Sequence, residues 1–287
     1  MDIFDDSNIV NGVDIVIKIK KYGLITYIYF KQARIYWQNV LLLSISGIIT
    51  TFISCSIWMA IYMGQANSAD LENTIKYIVF VNIINMVMSN NLEMDIGKRV
   101  MEGTIAIDLL KPLNYIQYIF FQKFGLFIFK ILFFTIPICI LFCVSQVSFD
   151  INFAMIISLL LTYIMIFTLE ILVGLGAFLT TQVFGLSLVK SSIINIAAGL
   201  TIPLYRYPDT LQTIFNNLPF QSIYCSALNI SNGTSANNAI QSVLHMLGIS
   251  SVKQSIIIEQ VVWLFFLVVL GSIAWKICKR RLTIQGG

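Results

Sequence analysis

The chain has 287 residues, of which 57% are hydrophobic and 11% charged, and a formal net charge of +4. A soluble domain carries about 25% charged residues; this chain has too few to wet its own surface, so lipid must be the solvent for much of it. The five cysteines are scattered, unlike the clustered, even set of a secreted disulfide framework.

Asp2, Asp5, Asp6 and Asp14 precede any apolar run. That is the reverse of the basic leader of a signal peptide, so the start reads as mature protein. Residues 24–38 read as a helix in the headgroup layer: Lys20, Lys31, Arg34 and Gln38 fall on one stripe, and Ile28, Phe30, Ile35, Tyr36 and Trp37 supply apolar and aromatic bulk. The plainer alternative is a basic juxtamembrane stretch that only sets orientation. Residues 1–39 are thus assigned to a cytosolic N-terminus with an interfacial helix.

A helix needs about 20 apolar residues to cross roughly 30 Å of hydrocarbon. Six segments fit: 40–63, 75–89, 124–144, 153–175, 183–204 and 256–275. The second is interrupted by Asn82 and Asn85, which a helix facing other helices can carry. The fold class is therefore an all-α polytopic membrane protein with six transmembrane helices, a permease-like domain over 40–278 and a basic tail at 279–287. Cytosolic termini put Lys18, Lys20, Lys21, Lys31, Arg34, Lys98, Arg99, Lys111, Lys123, Lys276, Lys279, Arg280 and Arg281 on one side, with only Lys76, Arg206 and Lys253 on the other. That asymmetry sets the orientation. The external connection, 205–255, holds three stretches able to form short helices, 209–217, 220–230 and 238–247, around a loop at 231–236.

The chemistry-bearing motifs are conspicuous by their absence. There is no G-x-x-x-x-G-K-[ST] loop for nucleotide phosphates and no H-E-x-x-H. His245 is the single histidine, read as a surface residue on a short amphipathic helix. The chain is read as a non-enzyme that binds no metal, cofactor or nucleic acid. Four ionisable residues fall inside spans: Lys130, Glu170 and Lys190 near the cytosolic rim, and Glu259 near the external one. Such residues are costly and often functional, but a structural role also fits, with Lys130 or Lys190 paired to Glu170. An ion-coupled carrier keeps its coupling carboxylates near the midplane. Here the midplane is free of charge, so the energy source is placed outside the chain.

The cytosolic connection at 92–119 is longer than the roughly 2–8 residues that join packed helices. Asn90 and Glu93 have the spacing of a capping box. Asp95 with Arg99, and Lys98 with Glu102, have the spacing of i,i+4 ion pairs, and Met94, Ile96, Val100 and Met101 give an apolar flank. A short self-supporting helix follows, ending at Gly103, before Pro112 turns the chain. A solvated connector is the alternative.

The stretch Ile96-Gly97 to Gly103-Thr104-Ile105, then Leu109-Leu110-Lys111-Pro112-Leu113, resembles the segment after the second span of type-2 ABC exporter permeases. In particular it resembles the compact six-span branch often found in drug- or peptide-resistance transporters. Gly199 to Leu204, Tyr207-Pro208 and Leu218-Pro219-Phe220 resemble that branch's fifth span and external helices. The resemblance implies a permease subunit of the bacterial cytoplasmic membrane, paired with a second permease chain, identical or related. ATP and Mg would bind a separate ATPase subunit, and the helix carrying Glu93, Asp95, Lys98, Arg99, Glu102 and Gly103 would couple to it. The alternative is a channel or ion-coupled secondary carrier of small solutes.

Overall fold

The computed structural model describes residues 6–63, 68–145, 152–180, 183–234, 238–249 and 251–280. Asp2, Asp5, Arg281 and the tail that follows lie outside the described residues, as do 235–236 of the external loop. The described residues form helices and turns, with no strand among them.

Helix α1 (Asp6–Ile35) runs almost directly into α2 (Trp37–Tyr62), and α3 (Ser68–Met88) returns. Two short helices, α4 (Leu92–Met101) and α5 (Ile105–Leu110), lead to α6 (Tyr115–Ser145). Next come α7 (Phe153–Leu175), its one-turn extension α8 (Ala177–Thr180), and α9 (Phe184–Ala197). A 3-10 turn at Leu204–Arg206 and helices α10 (Asp209–Asn216), α11 (Pro219–Tyr224), α12 (Ser226–Asn232) and α13 (Ala239–Met246) precede α14 (Val252–Arg280).

Among the described residues, four helices are long and apolar enough to cross a membrane: Trp37–Tyr62, Tyr115–Phe134, Phe153–Thr180 and Val252–Lys279. The other two expected spans differ for separate reasons. Helix α3 has the length, 21 residues, but it sits inside the bundle, where Ile78, Val79, Val81 and Ile84 are buried. A helix surrounded by protein has no need of a lipid-facing surface. Asn82 bonds within its own helix, to the Ile78 carbonyl at 2.9 Å. Helix α2 is the converse: Leu42, Phe52 and Ile57 point outward.

Helix α9 has only 14 residues, about 21 Å at 1.5 Å per residue, and so stops short of a full crossing. The expected span to 204 is corrected at Ala197. Gly199 takes φ +75°, and the Tyr77 hydroxyl occupies the space a Cβ would need. The chain turns there, and Tyr77 donates to the Ala198 carbonyl at 3.3 Å.

Helix α7 is the hub, packed on α14 along one side and on α4 at its end. Phe120 and Phe127 of α6 close on α7: Phe127 stacks on Tyr163 with ring centroids 4.1 Å apart, and Phe120 meets Phe167 edge-on at 5.0 Å. Such pairs contribute about 0.5–1.5 kcal/mol each beyond area burial. The stretch expected to lie in the headgroup layer, 24–38, covers the last part of α1 and the start of α2, and α1 lies alongside α6. Tyr22 stacks on Phe121, Phe30 meets Phe129 edge-on, and Trp37 lies against Phe133. Both numberings rise together, so the two helices run parallel. Leu24, Tyr27, Ile28 and Ile35 face outward beside Lys31 and Arg34.

Candidate functional site

The charged residues of the bundle's α4 end converge on the three residues, Ser89 to Asn91, that join α3 to α4. Asn91 takes φ 48°, the left-handed conformation that asparagine tolerates. The sharp turn leaves backbone N–H groups of the new helix without intrahelical acceptors. Glu170 of α7 supplies them. It accepts the N–H of Asn90 at 2.9 Å, the N–H of Leu92 at 3.3 Å and the Ser89 hydroxyl at 3.2 Å. A carboxylate at a helix N-terminus also meets the positive end of the helix dipole.

Glu170 therefore takes the place of the capping box expected from Asn90 and Glu93, and no side-chain cap forms at Asn91. The expected ion pair of Glu170 with Lys130 or Lys190 is corrected too: its partners are backbone N–H groups and Ser89, because the two lysines are engaged elsewhere. Lys130 donates to the Ser89 carbonyl. Lys123 donates to the Asn90 carbonyl at 3.2 Å and to Asp95 at 2.5 Å. Helix α6 thus holds the joint by its carbonyls and α7 holds it by its amides.

Glu93 points inward and is fully buried. Lys190 of α9 pairs with it at 2.5 Å, and Ser187 donates to the same oxygen at 2.9 Å. A buried carboxylate without such a partner would be costly. The inner face of α4 is Leu92, Glu93, Ile96 and Gly97, at the spacing of one helical stripe. Small residues let it approach: a Cβ on Gly174 of α7 would lie 2.9 Å from Ile96 Cδ1 and 3.1 Å from Glu93 Cα.

The expected i,i+4 pairs divide. Lys98 and Glu102 approach to 3.8 Å on the exposed side. Asp95 and Arg99 do not pair with each other, because tertiary partners at less exposed positions capture both. Asp95 goes to Lys123, while Arg99 donates to Asp108 at 2.7 Å and to Gln122 at 3.3 Å. Asp108 also receives Lys111 at 2.6 Å. Burial alone would raise the Asp108 carboxyl, but the two cations outweigh it and hold the group below its ordinary value. The hydrogen bond to Asp108 correspondingly raises Lys111. Sequence reasoning missed Asp108 and the buried role of Lys123; the available signal was the i,i+3 spacing of Asp108 and Lys111.

The outer face of α4 and α5 is free of these clasps. It presents Met94, Lys98, Met101, Glu102, Ile107 and Leu110, with Met101 67% and Leu110 84% exposed. Gly103, at φ +69°, turns the chain at the end of α4. Exposed methionines and aliphatics next to both signs of charge make a surface suited to a protein partner.

Glu259 stands apart from this assembly, at the start of α14. It accepts from Ser222, from Asn238 at 3.0 Å and from Gln241 at 2.7 Å, fastening α11 and α13 to α14. Next to it Gln260 donates to the Ser222 carbonyl at 3.0 Å. A cavity of about 860 Å³ opens between α3 and the short helices α10 to α12.

Residues 71–286 match the family model described as ABC-2 family transporter protein. Neither a curated protein nor a solved structure matches. The matched residues run from α3 to the tail and include the whole Ser89–Asn91 assembly. A model that spans most of the chain, together with an all-α bundle of apolar membrane helices, places this protein in the ABC-2 family of transporters, as a multi-pass membrane permease.

Proposed function

We propose that this chain forms the membrane pathway of an ATP-driven exporter and that the outer face of α4 and α5 docks on a separate ATPase subunit. The observation that carries this reading is the convergence on Ser89–Asn91. Glu170 of α7, Lys123 and Lys130 of α6, and Lys190 of α9 through Glu93 all hold one short helix at its base. A push on α4 therefore acts on α3, α6, α7 and α9 together. Loop connectors have no need of ties to four helices.

In this mechanism ATP and Mg stay on the partner subunit, and its closure displaces α4. The clasps transmit the displacement to the bundle, whose two arrangements open the pathway to opposite sides. Moving such an equilibrium from 1:99 to 99:1 takes about 5.5 kcal/mol of differential binding. A second permease chain, identical or related, completes the pathway, and both termini lie in the cytosol of a bacterial cell. The rigid, inward-facing residues Glu93 and Arg99 serve the bundle. The exposed Lys98, Met101 and Glu102 serve the docking.

The reading expects a P-loop ATPase encoded beside this chain, and reconstituting the two together tests it. ATP-dependent movement of an amphipathic drug or peptide out of the cytosolic side supports it. Uphill transport by the chain alone on a proton or sodium gradient would instead establish a secondary carrier.

A further inference from the structure

A cavity of about 370 Å³ opens where α1 meets α2, walled by both helices, by Asn90 and Asn91, and by α6. Its volume lies in the range of roughly 300–1,000 Å³ typical of ligand sites. Lys123 and Lys130 both line it, only 6% and 4% exposed. Asp95 lines it too and pairs with Lys123. Lys130 makes no ion pair among the described residues; its partner is the neutral Ser89 carbonyl. Of the charged side chains that line the cavity, two are cationic and one anionic, an excess of one positive charge; Glu170, which attracts Lys130 and bonds the same turn, does not line it.

Its other walls fit a lipid. Val40, Leu43 and Leu126 make one side apolar. Leu43 is also exposed on the outward face of α2, so an acyl chain can leave the cavity along that helix. Exposed Tyr36 and Trp37 stand at the junction, the residue types that mark a headgroup layer. Lys31 and Arg34 are exposed on the neighbouring turn of α1. On the polar side, Asn90 and Gln32 line the cavity. Gln32, exposed at the mouth, offers an acceptor to a hydroxyl donor.

We propose that this cavity binds the phosphate ester of an anionic glycerophospholipid from the leaflet on the α4 side. The phosphate sits between the Lys123 and Lys130 ammonium groups, and the hydroxyls of a glycerol headgroup reach Gln32. Basic pockets between membrane helices select anionic headgroups in this manner. The occupant would join α1 to the same Ser89–Asn91 turn that carries the ionic clasps.

The test is native mass spectrometry of the full chain in detergent, titrated with dioleoyl-phosphatidylglycerol, dioleoyl-phosphatidylcholine or inorganic phosphate. The anionic lipid should be retained about tenfold more tightly than the zwitterionic one. Lys130→Gln should abolish that preference. Gln32→Glu, at an exposed position on the mouth, should weaken it without touching the buried network, and it decides the matter if the lysine variant fails to fold. Equal retention of the two lipids, or an anionic preference unchanged in Gln32→Glu, would overturn the proposal. Displacement of the anionic lipid by inorganic phosphate would overturn it as well, by assigning the site to the free anion.

Discussion

The carboxylate of Glu170, on α7, accepts the backbone N–H of Asn90 at 2.9 Å across 80 residues of sequence. A side chain from one helix thereby acts as the cap of another, and α4 cannot shift without either breaking that bond or taking α7 with it.

Replacing this cap tests its share of stability. Hydrogen bonds to a charged group contribute about 1.5–3 kcal/mol. Glu170→Gln keeps the size and one acceptor, and is expected to destabilise the detergent-solubilised protein by about 2 kcal/mol. Thermal unfolding followed by tryptophan fluorescence measures it. An unchanged midpoint would mean that α4 holds its place without the cap.

The Glu93–Lys190 pair, 2.5 Å apart with both side chains buried, makes a sharper prediction. Removing one partner from a buried pair costs about 3–5 kcal/mol, whereas replacing both with apolar residues is often near neutral. Lys190→Met should therefore be far less stable than the double variant Glu93→Leu with Lys190→Met. Equal stability of the two would show that the pair is not coupled.

The tight approach of α4 to α7 depends on Gly174. A Cβ there meets Glu93 Cα at 3.1 Å, and backbone cannot swing aside as a side-chain tip can. Gly174→Val is expected to cost about 1–3 kcal/mol, as overpacking does, and to lower ATP hydrolysis coupled to transport more than it lowers membrane insertion. Coupled hydrolysis at the wild-type rate would place the coupling route elsewhere.

The Arg99–Asp108–Lys111 clasp sets a pH window. Asp108 is held below its ordinary value near 3.8, so its contribution is present above that value and is lost as pH falls through the lowered one. Lys111 is held above its ordinary value near 10.5, so its contribution is present below 10.5 and is lost as pH rises further. Amide exchange over 104–111, labelled at a fixed pH after a pH pulse, should stay slow between those limits and quicken outside them. Quickening near neutral pH would contradict the assignment.

How much of this was legible in the sequence varied with the physics of each part. The α7 boundaries coincide with its apolar run, because a span between two polar connections starts and stops with its hydrophobicity. Helix α6 begins at Tyr115, earlier than its apolar run. Gln117, Gln122 and Lys123 lower the hydropathy of that first stretch but do not break a helix that packs on α1. The α4 helix was visible from local spacing. Its clasps were not: Glu93 finds Lys190 at a separation of 97 residues, and Arg99 prefers Asp108 to the nearer Asp95. Local charge spacing describes an isolated helix, and this one is set by tertiary partners.

The central claim is that the outer face of α4 and α5 grips an ATPase. The most direct measurement replaces exposed Met101 with cysteine and asks for a disulfide or bifunctional cross-link to the co-expressed ATPase, with and without ATP. A specific cross-link whose yield changes on ATP addition, and which is lost when Lys98→Glu is added, is the predicted result. No cross-link at Met101, in a preparation that still transports on ATP, would contradict the account.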